Sequence, residues 1–142
     1  MREWSGKVAV FCENPGLLIE FTRVLNELGY YSLSLCKSVP ELIELFEAGG
    51  AFEYLIFDGF ELGTNSQHLE TIAYRFAVTS IIVIADVNSI QRECVFRWAS
   101  EHRISLGVLQ APLRLSELQL LIGRGNLARA SASTAFATTV RL

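Results

Sequence analysis

Five apolar runs, each followed by an amphipathic segment, constrain this chain more than any other feature. The runs are Val8-Ala9-Val10-Phe11, Tyr30 to Leu35, Tyr54-Leu55-Ile56-Phe57, Ile81-Ile82-Val83-Ile84-Ala85 and Leu106-Gly107-Val108-Leu109. Short apolar runs between turn signals read as buried strands. Their carboxyl ends, at Phe11, Leu35, Phe57, Ala85 and Leu109, are roughly twenty to thirty residues apart, the length of a βαβ unit. Five such units predict an α/β fold with a parallel five-stranded sheet flanked by helices on both faces, in three layers. The strands do not alternate apolar with polar, which predicts a sheet buried on both faces.

The segments between the runs carry helix signals. Pro15 opens the first, with Leu17, Leu18, Phe21, Val24, Leu25 and Leu28 at helical spacing and Gly29 as the stop. Ser38 with Pro40 and Glu41 opens the second, which carries Leu42, Ile43, Leu45 and Phe46 and ends at Gly49-Gly50. Ser66 is the predicted N-cap of the third, with Leu69, Ile72, Ala73 and Phe76. The fourth spans about Asn88 to His102, with Ile90, Cys94, Val95 and Trp98 on one face. The fifth follows Pro112 and runs through Leu115, Leu118, Leu121 and Ile122 to a stop at Gly123 or Gly125.

From Asn126 the chain becomes rich in Ala, Ser and Thr. Residues 1–125 are therefore expected to form one domain and 126–142 a tail or linker. The tail could instead extend the last helix, or pair Thr138-Thr139-Val140 with a partner. Half the chain is hydrophobic and 19% is charged, a globular balance. No apolar stretch approaches the roughly 20 residues needed to span a bilayer, and the segment from Met1 to Lys7 has no apolar secretory core. A cytoplasmic domain without membrane contact is expected. A net charge of −3 gives no reason to expect direct nucleic-acid binding. Cys12, Cys36 and Cys94 are too few and too widely spaced for a disulfide framework or a zinc site, and suit a reducing compartment.

The chain has only two aspartates. Asp58 ends the third apolar run, just before Gly59, and Asp86 follows the fourth. Ligands and chemistry collect at the carboxyl ends of strands in open α/β sheets, and in a five-stranded sheet the first and third strands meet at the switch point. Cys12-Glu13-Asn14-Pro15 after the first strand would then lie beside Asp58, with Glu13 facing it across a crevice. A structural turn cap is the competing role for Asp58, and a solvated strand-end acid for Glu13. Cys12 reads as a small apolar residue, since no cation or histidine is near it in sequence. His68 and His102 read as surface residues, Trp98 as core or interface, and Asp86-Val87-Asn88 as the approach to the fourth helix. There is no glycine-rich phosphate loop, Ser-His-Asp set or metal-ligand cluster.

In the order and spacing of these features, residues 6 to 124 resemble the receiver (CheY-like) domain of bacterial two-component response regulators. Such domains end strand one with an acidic pair and a proline, here Cys12, Glu13 and Pro15. They carry the phosphoacceptor aspartate at the end of strand three, here Asp58. A Thr or Ser ends strand four and Lys-Pro follows strand five, positions held here by Ala85 and by Ala111-Pro112. The resemblance implies the flavodoxin-like strand order 2-1-3-4-5. It also implies Mg²⁺-assisted phosphoryl transfer onto Asp58 and no other enzymatic activity.

The departures point to a degenerate site, a pseudo-receiver. Cys12 replaces the first acid, which leaves Glu13, Asp58 and a carbonyl near Phe60 as ligands, a weak Mg²⁺ set if the ion binds at all. Ala111 removes the lysine and Ala85 the hydroxyl, and Asp86 would repel a dianion. Each lost donor or cation commonly costs about 10²–10³ in rate. The expected function is phosphorelay signalling through protein–protein contact, with phosphotransfer weak or lost. The partners would be a sensor histidine kinase, an output protein or a second copy of the chain. The usual contact face of the family would here include Ile90, Val95, Trp98, Val108 and the helix from Arg114 to Gly123. Two alternatives stand beside this reading: a conventional Mg²⁺-dependent phosphorylated switch, and a flavodoxin-like module binding a small molecule or nucleotide in the same crevice.

Overall fold

The computed structural model describes residues 6–112 and 114–127. The elements follow one another as β1 (Lys7–Phe11), α1 (Pro15–Glu27), β2 (Ser32–Cys36), α2 (Val39–Glu47), β3 (Ala51–Asp58), α3 (Ser66–Arg75), β4 (Ala77–Ala85), α4 (Ser89–Glu101), β5 (Leu106–Gln110) and α5 (Leu115–Leu127). All strand pairs are parallel, in the order β2-β1-β3-β4-β5. The α/β sandwich and the strand order expected from the sequence are what the chain adopts.

The sheet divides two apolar cores. On one face Ala9, Phe11, Leu55, Phe57, Val83 and Val108 pack against Leu42 and Phe46 of α2, Leu69 and Ile72 of α3, and Val95 and Trp98 of α4. On the other, Val8, Val10, Ile56, Ile82 and Ile84 pack against Phe21 and Leu25 of α1 and Leu118 and Ile122 of α5. Successive strand residues point to opposite faces, so a strand between two helical layers must be apolar at every position. Each fully buried Leu, Ile or Phe contributes roughly 1.5–3 kcal/mol by removal from water. Gly107 lies within β5 where α5 comes close: a Cβ there would lie 3.2 Å from Leu121 Cδ2.

The helix starts are set by local chemistry. Asn14 accepts from the Leu17 N–H ahead of Pro15, and Ser38 accepts from the Glu41 N–H. Asn88 and Gln91 form a reciprocal capping box at α4. Gly29 and Gly49 follow α1 and α2 with φ near +97°, a backbone state that suits glycine after a helix.

Several expectations are corrected. The N-cap of α3 is Asn65, not Ser66, and neither caps with its side chain. Asn65 Oδ1 accepts from Glu61 N–H and Ser66 Oγ from Gly63 N–H, so both side chains serve the preceding loop. Strand β2 begins at Ser32, and Tyr30 turns inward to donate from its hydroxyl to Glu53 Oε2 at 3.2 Å. The sheet is not buried throughout. Edge strand β2 pairs on one side only and leaves Leu35 45% exposed. Strands β3 and β4 reach further toward their N-termini than their apolar runs, paired from Ala51↔Ala77 onward. Helix α5 continues through Gly123 and Gly125 to Leu127, since an interior glycine costs only about 1 kcal/mol against alanine. The segment Met1 to Ser5 and the tail beyond Leu127, including Thr138-Thr139-Val140, lie outside the described residues. Among those described, no helix is long and apolar enough to cross a membrane.

Candidate functional site at the carboxyl edge of the sheet

Register brings Asp58 and Cys12 together. Phe11 of β1 is level with Phe57 of β3, and their rings stack at 4.5 Å between centroids. One residue further along both strands, Cys12 and Asp58 point to the opposite face from those rings. The Cys12 thiol donates toward Asp58 Oδ2 at 3.6 Å and toward the Asn14 carbonyl at 3.5 Å. Cys12 is fully buried, Asp58 half-buried and Glu13 exposed. The thiol contact is what the sequence reading missed; the signal available was parity, with Cys12 as far beyond Phe11 as Asp58 is beyond Phe57.

Burial raises the Asp58 carboxyl above the ordinary aspartate range. The Cys12 hydrogen bond and the Gly59 N–H oppose that rise, while the negative charge of Glu13 adds to it. Burial likewise raises the Cys12 thiol, opposed by its bond to Asn14 and reinforced by Asp58 and Glu13. Cys12 is therefore a neutral thiol and not a reactive thiolate. Cys36, whose carbonyl accepts from Cys12 N–H, is pushed up to about 11 by burial first and by Glu41 second.

The loop after β3 is tied to the end of β4. Both Gly59 N–H and Phe60 N–H donate to the Ile84 carbonyl at 3.0 Å. Gly59 has φ +76°, a left-handed turn that lets two successive amides reach one acceptor. Ala85 is buried, and its carbonyl accepts from Ala111 N–H at 3.0 Å. Ala111 precedes Pro112 through a cis peptide. Asp86 is exposed and accepts from Gln110 Nε2 at 3.1 Å. The strand-end positions singled out in the sequence thus form one connected edge, in which Ala85 and Ala111 supply backbone groups only.

This donor set fits Mg²⁺ poorly. The ion requires oxygen ligands in near-octahedral geometry, whereas the side chain against Asp58 is a neutral sulfur and Glu13 is turned to solvent. Among the described residues, no three His, Cys, Asp or Glu side chains converge as a metal-binding group.

The expected contact face is partly dismantled. Val95, Trp98 and Val108 belong to the core, and among the described residues Ile90, at 73% exposed, and Leu120 on α5, at 58%, are the large exposed apolar side chains of α4 and α5. Trp98 instead serves the interior. Its indole N–H donates to Glu70 Oε2 at 2.6 Å and its ring lies 5.5 Å from that of Phe60, two residues past Asp58. His102 is exposed and 3.5 Å from the same Glu70 oxygen.

No family model and no curated protein matches the chain by sequence. Solved structures match it in shape. A response regulator from Thermotoga maritima superposes with a TM-score of 0.68 at 14% identity, over 85% of this chain and 97% of that one. A signal receiver domain of a two-component histidine kinase from Clostridium thermocellum gives 0.64 at 16% identity, over 88% and 99%. A protein from Burkholderia pseudomallei described as pilus assembly-related gives 0.63 at 18%, over 87% and 92%. At these identities the likeness establishes architecture: the chain is built on the fold of response-regulator receiver domains.

Proposed function

We propose that the chain is a receiver-like signalling domain that works mainly through protein–protein contact, with phosphotransfer onto Asp58 weak or lost. The observation that carries this reading is the side chain against Asp58. A neutral, buried thiol stands 3.6 Å from its carboxylate, where metal-assisted chemistry calls for a second acid. A phosphoryl group there would add negative charge beside Glu13, with Ala111 offering no cation and Ala85 no hydroxyl. Losses of this kind commonly cost about 10²–10³ in rate apiece. The partners in this reading are a sensor kinase, an output protein or a second copy of the chain, met through the surface that carries Ile90 and Leu120. A net charge of −3 gives no electrostatic reason for direct nucleic-acid contact.

A conventional phosphorylated switch is the second reading, favoured by the half-exposed position of Asp58 at the end of a central strand. Intact-mass analysis after incubation with Mg²⁺ and acetyl phosphate separates the two, with Asp58→Asn as control and beryllofluoride-induced spectral shifts followed in parallel. No adduct and no shift are expected. An Mg²⁺-dependent adduct that disappears in Asp58→Asn would establish the switch.

A further inference from the structure

Beside the Asp58 edge, the loop from Phe60 to Thr64 and the first turns of α4 enclose a cleft of about 460 Å³, within the usual range of ligand sites. Leu62, Val87 and Val95 supply an apolar wall, Glu61 and Asp86 two carboxylates, and Cys94 a thiol; none of the residues lining it is basic. Glu61 and Asp86 are exposed, as is Leu62, so the occupant is met at the surface.

The charge is one-sided, and that selects the occupant. Two carboxylates lining one cleft, with no basic residue beside them, repel an anion, which argues against a nucleotide. They favour a cation, and the apolar wall favours one carried on an aliphatic stem. Arginine and lysine side chains have that form. The cleft also adjoins the candidate site. Its near wall continues from Asp58 through Gly59 and Phe60, whose amides bond the Ile84 carbonyl, and its far wall starts two residues after Ile84.

We propose that this cleft docks an arginine- or lysine-bearing segment of a partner protein, its stem against Leu62 and Val87 and its head between Glu61 and Asp86. The proposal names the partner chemistry of the binding module described above and rests on that reading. Its failure is separable, because the Asp58 adduct test uses another residue and another readout.

The test titrates the tripeptide acetyl-Leu-Arg-Leu-amide, and acetyl-Leu-Glu-Leu-amide as its acidic counterpart, into the isotope-labelled chain. Amide shifts are read together with the rate of Cys94 alkylation. Cys12 and Cys36 are buried while Cys94 is half-exposed, so alkylation reports on the cleft. The arginine peptide is expected to shift Leu62, Thr64, Val87 and Gln91 saturably, with a Kd near or below about 1 mM, and to slow alkylation. The double variant Glu61→Gln/Asp86→Asn, altered only at exposed positions, is expected to weaken binding by about tenfold or more. Equal responses to both peptides, an undiminished response in the double variant, or no saturable shift would each overturn the proposal.

Discussion

Cys12 and Asp58 are in hydrogen-bond contact across β1 and β3, the thiol Sγ 3.6 Å from Oδ2, with the thiol fully buried and the carboxyl half-buried. A thiol can donate one weak hydrogen bond to a carboxylate but contributes no hard oxygen to a metal and no charge to a phosphoryl group. The contact therefore bears on both the chemistry and the stability of this edge.

Replacing Cys12 with aspartate places two carboxylates side by side at a buried position. Without a divalent ion, Cys12→Asp is expected to be less stable than the parent by on the order of 2–3 kcal/mol. Mg²⁺ should recover part of that loss while leaving the parent unchanged. Thermal denaturation with and without Mg²⁺ checks both arms, and an equal response of the two proteins to the ion would contradict the account.

Asp58 has a carboxyl raised above its unfolded range, chiefly by burial, so the folded state holds its proton more tightly than the unfolded chain. Stability from this group is then full below the ordinary value of 3.8 and declines as pH rises toward the raised folded value. Asp58→Asn removes that penalty. The variant should be at least as stable as the parent at neutral pH, with its advantage vanishing on acidification through the aspartate range. Urea denaturation at a series of pH values would show this, and a variant less stable at neutral pH would count against it.

The Trp98 indole ties α4 to α3 through Glu70. Trp98→Phe leaves an aromatic ring against Phe60 but removes the donor and part of the volume, for an expected loss of about 2 kcal/mol. Glu70→Gln keeps an acceptor and should cost less. Chemical denaturation of the two variants ranks them, and a larger loss in Glu70→Gln would show that the indole needs the charged carboxylate and not merely an acceptor.

Ile90 and Val95 lie on the same helix in different environments, 73% and 1% exposed. Val95→Ala is expected to cost on the order of 2 kcal/mol, and Ile90→Ala less than about 0.5 kcal/mol. If the exposed face is the contact surface, Ile90→Ala instead weakens self-association, measured by sedimentation. Comparable stability losses in both would mean that Ile90 is covered.

Most of the layering was legible in the chain itself. Val8–Phe11, Leu55–Phe57 and Ile81–Ala85 are apolar at consecutive positions, which only a strand covered on both sides tolerates. Pro15, Ser38 and Asn88 mark helix starts, where the structure adds that the side chains of Asn14, Ser38 and Asn88 bond free amides of the first turn. Strand ends next to polar residues were less legible. Glu53, Thr79 and Ser80 lie in the extensions of β3 and β4, where pairing rather than apolarity defines the strand.

Local sequence thus determined the elements and their order, because periodicity and capping act over a few residues. The tertiary structure alone decided which side chains meet. Cys12 against Asp58 depends on the register of two strands separated by a helix, a second strand and a second helix. The exposure of Ile90 beside the burial of Val95 and Trp98 depends on how α4 is rotated over the sheet. Those contacts follow from the packing of both layers at once, a long-range condition that no single segment of the chain contains.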